Sequence, residues 1–319
     1  THIGYTSWFD PKENILPETV KITIPEQGGL GVTVSNTERF YPETRKLQLP
    51  EQNPYQTYDA VITLFNRGQS PISFTLQGNH EWVVPKKTEG EIKDQENILI
   101  SIDWDKVPKG QNTAEIIIRS GKETTTVMVP INNFNVKEGF EGFVESEGYI
   151  SISAPNYTDQ HSTPPVEWKV IPDLGRTGSS ITTFPVTQEP SPEPVDYLEY
   201  NAYFTHTGDV ELYTYLAPTL NFHNTQSGLR FAVSIDDKEP QIISLHQDQP
   251  EWIWNKWVAE SINIKKSTHH IDAPGIHKIR FWLIDPGVVL QKLIVDTGGL
   301  KQSYLGPRES NYVTPKSTL

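Results

Sequence analysis

The chain has 319 residues, with 27 basic against 40 acidic side chains and a formal net charge of −13. This acidic balance argues against binding to nucleic acid or to anionic membranes, because both select for lysine and arginine patches. The absence of cysteine excludes disulfide bonds, iron–sulfur clusters, cysteine-ligated zinc and thiol catalysis. Aromatic residues make up 10% of the chain. A disordered chain is poor in aromatics, so the sequence predicts a folded protein.

At about 150 residues per domain, the length predicts two domains. No apolar run approaches the roughly 20 residues that cross a bilayer, so no membrane insertion is expected. The sequence begins at Thr1, without an initiator methionine or a signal peptide. That start predicts a processed product or an excised piece of a longer protein.

The sequence of the first part of the chain predicts short strands separated by turns. No stretch of twelve residues keeps a helical apolar stripe, and 25 prolines and 21 glycines break the chain often. The strands predicted here are residues 19–24, 30–35, 58–66, 71–76, 97–102, 114–119 and 124–129. Seven short strands at this spacing predict an immunoglobulin-like β-sandwich.

A boundary is predicted between residues 132 and 142, where turn chemistry replaces the strand pattern. The strands predicted after it are residues 149–153, 180–184, 197–205, 210–216, 229–235, 241–246, 257–264, 277–284 and 288–295. About nine strands over this length predict a jelly-roll β-sandwich. The predicted domains are therefore an all-β unit at 1–136, which includes an N-terminal linker, and a second at 137–319.

Motifs for catalysis or metal binding are weak. His269, His270, Asp272 and His277 loosely resemble a metal cluster, but Pro274 and Gly275 interrupt it, which would put the ligands on a loop and a strand start. The acidic pairs are Asp236-Asp237 and Asp285 with Asp296. A glycosidase needs two carboxyl groups about 5–10 Å apart, and the sequence does not place these side chains opposite each other. Asp236-Asp237 lies between two predicted strands, where aspartate is ordinary turn chemistry. The sequence therefore predicts no catalytic residue, no metal site and no cofactor.

The richest cluster is Trp252-Ile253-Trp254-Asn255-Lys256-Trp257. A sugar ring presents an apolar C–H face that stacks on aromatic rings, so Trp252, Trp254 and Trp257 are candidate carbohydrate-binding residues. The alternative is that Trp252 and Trp254 alternate on one side of a strand while Trp257 fills the core.

Two further candidates are polar. Asp236 could hydrogen-bond sugar hydroxyls. Arg230 and Arg280 each lie within a predicted strand, where a buried guanidinium needs a carboxylate partner. The alternative is recognition of a uronic-acid carboxylate, which suits the bidentate geometry of arginine.

Several strings resemble the C-terminal region of glycoside hydrolase family 115. They are Gly4-Tyr5-Thr6-Ser7-Trp8, Leu174-Gly175-Arg176-Thr177-Gly178-Ser179, Tyr197-Leu198-Glu199-Tyr200, Ala217-Pro218-Thr219, the string from Gly228 to Asp236, Pro274-Gly275-x-His277, Asp285-Pro286-Gly287, Gly298-Gly299-Leu300-Lys301 and Ser303-Tyr304-Leu305-Gly306-Pro307. The motifs occur in family order and cover the second part of the chain and the opening of the first.

The resemblance implies a parent enzyme, a xylan α-1,2-glucuronidase, whose catalytic barrel lies upstream of this region, so no catalytic residue carries over. It implies accessory domains: a sandwich insert and a galactose-binding-like jelly roll similar to carbohydrate-binding modules. One departure concerns an acidic string that related modules use for calcium, which reads Ile152-Ser153-Ala154-Pro155 here. Calcium needs several oxygen ligands, so this change argues against the site. Arg308 stands where the family favours a second proline.

The sequence thus predicts a non-catalytic C-terminal portion of an exported bacterial α-glucuronidase, either periplasmic or extracellular. Its expected partners are the upstream barrel of the parent chain, glucuronoxylan or another plant polysaccharide, and a second copy in a homodimer. Two alternatives remain: a free-standing carbohydrate-binding protein and a purely structural interaction module.

Overall fold

The computed structural model describes residues 18–35, 37–247, 249–250 and 252–315. Within these ranges the chain forms 23 β-strands and one α-helix, so the predicted all-β fold is confirmed. The strands pair into four sheets, two in each half of the chain. No helix in the described ranges is long and apolar enough to cross a membrane.

The N-terminal half has two five-stranded sheets around one core. Its strands are β1 Leu30–Val34, β2 Phe40–Tyr41, β3 Leu47–Gln48, β4 Ala60–Asn66, β5 Ile72–Gly78, β6 Val83–Pro85, β7 Glu89–Ile92, β8 Gln95–Ile102, β9 Gly110–Ser120 and β10 Glu123–Asn133. The sheet orders are β2-β1-β4-β8-β6 and β3-β10-β9-β5-β7. Alternate residues of β9 and β10 form the core, including the fully buried Ile116, Ile118, Val127 and Val129. The immunoglobulin-like assignment of this half stays a prediction.

The C-terminal half is a second two-sheet sandwich. Its elements are β11 Gly142–Val144, β12 Tyr149–Ser153, β13 Asp159–His161, β14 Glu167–Ile171, β15 Ser180–Phe184, β16 Tyr197–Phe204, β17 Gly208–Leu216, β18 Arg230–Ile235, β19 Gln241–Ser244, α1 Ile253–Glu260, β20 Asn263–Ile271, β21 Gly275–Leu283, β22 Leu290–Asp296 and β23 Tyr312–Val313. The front sheet has the order β19-β18-β21-β16-β11-β23, and β13 also pairs with β16. The rear sheet has the order β14-β15-β22-β17-β20, and β12 also pairs with β22. Between the sheets lie fully buried rings such as Tyr200 and Phe231.

Two predicted strands are wrong. Residues 19–24 belong to no strand, and Val20 and Ile22 are more than 80% exposed. The alternating pattern is present, but a strand also needs a neighbour to accept its backbone hydrogen bonds. Residues 257–264 were predicted as a strand, yet α1 runs to Glu260 and β20 begins at Asn263. Ser261 ends the helix in a left-handed conformation, with φ of 54°.

The halves meet through an aromatic cluster. Phe134 stacks on Tyr203, with ring centroids 5.7 Å apart, and Tyr55 lies 5.1 Å from Phe134. The side-chain amide of Asn53 donates to the backbone carbonyl of Glu145 at 3.2 Å. The predicted boundary at 136–137 falls within this junction and stays a prediction.

Candidate functional site

The tryptophan cluster lies at helix α1 rather than on a strand. Trp252 immediately precedes the helix and is 62% exposed, Trp254 is half-buried, and Trp257 is buried. Trp257 packs edge-on against His246, and Lys265 lies over its ring. Because the three rings point to different environments, they do not form one flat surface. Their role in carbohydrate binding stays a prediction.

Arg230 and Asp236 lie at opposite ends of β18, about 20 Å apart along the strand. Arg230 forms a bidentate pair with the buried carboxylate of Asp285, with Nε–Oδ2 at 2.9 Å and Nη2–Oδ1 at 3.1 Å. Of the two alternatives for Arg230, the structure shows the ion pair. Asp236 adopts φ of 58° and accepts hydrogen bonds from His277 and the backbone of Lys278. The structure therefore does not bring these candidates together.

The residues of the loose metal motif have different partners: His270 Nε2 lies 3.8 Å from Asp272, whereas His277 bonds Asp236. No group of three possible metal ligands occurs among the described residues. His269 and His270 both lie on β20, not on the predicted loop. The buried His269 hydrogen-bonds Ser267, and burial lowers its pKa to about 4. The exposed His270 pairs with Asp209.

The altered calcium string does not fit a calcium ion. The backbone N–H of Ser153 and the side-chain amide of Asn156 both donate to the carboxylate of Glu309, at 2.7 Å and 2.9 Å. Hydrogen-bond donors thus occupy the carboxylate of Glu309, whereas calcium requires several free oxygen ligands.

The outer face of the front sheet does assemble aromatic side chains. Four neighbouring strand pairs are in register, so five residues lie side by side across the strands: His161, Tyr197, Trp282, Ala232 and Ile242. We call these five residues the transverse row. At about 4.8 Å per strand the row is roughly 19 Å long, which matches three to four sugar rings.

The middle of the transverse row is held rigidly. The ring centroids of Tyr197 and Trp282 are 4.8 Å apart, and His161 stacks on Tyr197 at 5.8 Å. The indole N–H of Trp282 donates to the hydroxyl of Ser234 at 3.0 Å. His161 and Ile242 are exposed, Tyr197 and Trp282 are half-buried, and Ala232 is fully buried. The accessible surface of the row is therefore supplied by the other four residues.

A charged row runs beside the aromatic one. Glu199 lies opposite Arg280, and its buried carboxylate accepts hydrogen bonds from Arg280 Nε at 2.7 Å and Lys278 Nζ at 2.6 Å. Arg280 also reaches Asp237 at 3.2 Å and lies over the rings of Tyr197 and Trp282. Burial would lower the pKa of Arg280, but its bonds to Glu199 and Asp237 raise it.

These two rows together suit a sugar chain. The aromatic rings offer surfaces for the C–H faces of sugars, and the fixed charges offer donors and acceptors for hydroxyl groups. Sequence reasoning missed this face, although the alternation Lys278-x-Arg280-x-Trp282 on one strand was a visible signal. The sequence could not show that Tyr197 lies opposite Trp282.

Comparison with known proteins agrees with the motifs. The glycosyl hydrolase family 115 C-terminal domain matches residues 142–309, more than half of the chain. The chain belongs to glycosyl hydrolase family 115. No curated protein sequence matches it.

Solved structures with some similarity include a family 115 enzyme. That protein is BtGH115A, a 4-O-methyl-alpha-glucuronidase with specificity for decorated arabinogalactans. It is 19% identical over 44% of this chain, with a TM-score of 0.32, and the chain spans 17% of its length. The C-terminal CBM6 of the LamC laminarinase from Zobellia galactanivorans is 10% identical (46% of this chain, 98% of that one, TM-score 0.30). A family 35 carbohydrate-binding module from Clostridium thermocellum is 12% identical (46% and 97%, TM-score 0.32).

Several family 115 strings contact one another in the structure. Arg176 is buried, donates to the backbone carbonyls of Glu260 and Tyr304, and lies 4.1 Å from the Tyr304 ring. It thereby ties the end of α1 to the chain after β22. The Arg230–Asp285 pair joins two more strings. The string Gly4-Tyr5-Thr6-Ser7-Trp8 lies outside the described residues.

Proposed function

We propose that this family 115 chain is a non-catalytic accessory part of a glycoside hydrolase and holds plant polysaccharide along the transverse row. The observation that carries the proposal is the register that brings Tyr197 and Trp282 together beside Arg280 and Glu199. Because Glu199 is already paired with two cations, the charged row is fixed before a ligand arrives. Such preorganisation reduces the entropy lost on binding.

Glucuronoxylan is the polysaccharide that we propose first, with a xylan α-1,2-glucuronidase as the parent enzyme. The support is the family and the half-exposed ammonium group of Lys278 beside the row. Arabinogalactan is the competing glycan, because decorated arabinogalactans are the stated specificity of BtGH115A. We further propose an upstream catalytic barrel in the parent chain, contacts within a homodimer, and export to the periplasm or the extracellular space.

The test is affinity electrophoresis of the chain in gels that contain glucuronoxylan, unsubstituted xylan or arabinogalactan. We expect retardation by glucuronoxylan that is lost in Tyr197→Ala and Trp282→Ala. Trp252→Ala is the matched control, because it removes an exposed tryptophan from a different surface. Retardation by arabinogalactan alone would identify a different glycan as the ligand but would still support the transverse row as the binding surface. Equal retardation of all variants would contradict the row as the binding surface.

The two alternative functions, a purely structural module and a free-standing carbohydrate-binding protein, predict different results in the same gels. A purely structural module shows no retardation by any glycan. A free-standing binding protein would be retarded, but it would show no affinity for a separately produced family 115 catalytic barrel. Retardation together with binding to the barrel supports the accessory role.

A further inference from the structure

A cavity of about 560 Å³ lies between the two halves of the chain. From the N-terminal half it is lined by Tyr58, Asp59, Val61 and Leu99. From the C-terminal half it is lined by Glu147, Tyr149, Gly299, Lys301, Ser303, Pro307 and Arg308. We call it the junction cavity. Sites for small ligands commonly have volumes of about 300–1,000 Å³ and occur at such interfaces.

The junction cavity has apolar walls with a few polar groups. Tyr58, Val61, Leu99 and Pro307 supply apolar surface. Tyr58 donates a hydrogen bond to Glu147, and the guanidinium of Arg308 lies 5.8 Å from the Tyr58 ring. Tyr58 of the N-terminal half thus contacts both Glu147 and Arg308 of the C-terminal half.

The wall of the junction cavity carries two acidic and two basic side chains. Asp59 and Glu147 supply carboxylates, and Lys301 and Arg308 supply cations. Carboxylates accept from hydroxyl groups, and cations donate to them. A wall with equal numbers of both favours a neutral molecule with many hydroxyl groups over an anion or a cation.

The backbone at Glu147 is held in an uncommon conformation. Glu147 has φ of 57° and Gly148 has φ of 77°. The adjoining Gly299 has no room for a side chain, because a Cβ there would lie 1.9 Å from the carbonyl oxygen of Glu147. A non-glycine residue rarely adopts a positive φ, and this conformation persists only where the surrounding structure demands it. Here the conformation directs the Glu147 side chain toward Tyr58.

We propose that the junction cavity is a second carbohydrate site, which takes one or two neutral sugar rings. Their C–H faces contact Tyr58 and Leu99, and their hydroxyl groups bond Glu147, Asp59, Lys301 and Arg308. This site goes beyond the transverse row, since Tyr197 lies at the far end of β16 from the junction, about 20 Å away along the strand. A ligand in the cavity contacts both halves and so stabilises their arrangement.

The test measures binding of the neutral probe xylotetraose by saturation-transfer NMR, at up to about 20 mM because weak sugar sites have millimolar affinities. Leu99→Trp fills the cavity from an exposed position. Val84→Trp is its matched control, since Val84 is exposed to the same extent (42% against 43%) on a neighbouring strand but does not line the cavity. Both substitutions are also made in Trp282→Ala, which disables the transverse row, and in Tyr197→Ala in case Trp282→Ala does not fold.

With the transverse row disabled, we expect residual binding that Leu99→Trp weakens at least about tenfold and Val84→Trp leaves unchanged. Arg308→Ala, at an exposed position, is expected to weaken it as well. Residual binding that is equal in Leu99→Trp and Val84→Trp, or no residual binding at all, would overturn the proposal. So would binding of sodium glucuronate in place of the neutral sugar. If Trp282→Ala and Tyr197→Ala did not change binding, but Leu99→Trp still weakened it, the proposed function of the transverse row would be overturned and the junction-cavity proposal would stand.

Discussion

Tyr197 on β16 lies directly opposite Trp282 on β21, and their ring centroids are 4.8 Å apart. Both rings belong to the outer face of the front sheet, while the residues that alternate with them fill the core. The pair is thus placed by the same alternation that forms the sandwich. A binding surface built on paired strands is more rigid than one built on loops.

The Arg230–Asp285 pair is expected to stabilise the C-terminal half. Asp285→Ala removes a buried carboxylate that accepts three hydrogen bonds from Arg230. Loss of one partner of a buried pair costs about 3–5 kcal/mol, and we expect about 2–3 because the Arg230 side chain is one-third exposed. Urea unfolding measures the loss. Asp272→Ala, which breaks an exposed pair with Lys238, should change stability far less, because solvent screens exposed charges. Equal effects of both substitutions would contradict the role of burial.

Arg176 is expected to hold the chain after β22 in place. Its side chain reaches two backbone carbonyls, one carboxylate and one aromatic ring. Arg176→Lys keeps the charge but not the planar fork, so it should not restore these contacts. Hydrogen exchange should show faster exchange at residues 300–307 in Arg176→Ala and Arg176→Lys. Unchanged exchange in Arg176→Ala would show that other contacts hold this segment.

The pair of Glu145 and His206 predicts a pH dependence. The hydrogen bond to Glu145 raises the pKa of His206 from its usual 6.5. Burial would raise the pKa of Glu145, but hydrogen bonds from His206 and Thr297 lower it below 4.5. The His206 contribution is complete below about pH 6.5 and is lost as the pH rises through the folded-state pKa. The Glu145 contribution is complete above about pH 4.5 and is lost as the pH falls through its folded-state pKa.

Stability of the wild-type chain relative to His206→Gln should therefore be greatest between about pH 4.5 and 6.5 and smaller above this range. His206 is half exposed, so we expect a difference below about 1 kcal/mol. Thermal unfolding at a series of pH values measures it, with His270→Gln as a control because His270 pairs with exposed Asp209. A difference that grows above pH 7 would contradict the sign.

The sequence predicted most strands because their alternation is local. The sequence-based prediction was wrong where secondary structure depends on contacts with other parts of the chain. Residues 19–24 alternate like a strand but pair with no strand in the part of the chain that the structure describes. Helix α1 has only eight residues, too few to produce a twelve-residue apolar stripe. Ile253, Trp254 and Trp257 nevertheless have the spacing of one helical face.

The candidate site was harder to predict than the fold. Arg230 and Asp236 are close in sequence, yet β18 places them at opposite ends. Tyr197 and Trp282 are far apart in sequence, and only the register of β16 with β21 brings them together. Register between distant strands is set by the whole sheet, which the local pattern does not contain.

The central claim is that glycan lies on the transverse row and not on Trp252, which immediately precedes α1. It is tested most directly by ¹⁹F NMR of the chain labelled with 5-fluorotryptophan and titrated with glucuronoxylan oligosaccharides. Trp282→Phe and Trp252→Phe assign the two signals. We predict a saturable shift of the Trp282 signal and no shift of the Trp252 signal. A shift of Trp252 with an unchanged Trp282 would contradict the claim.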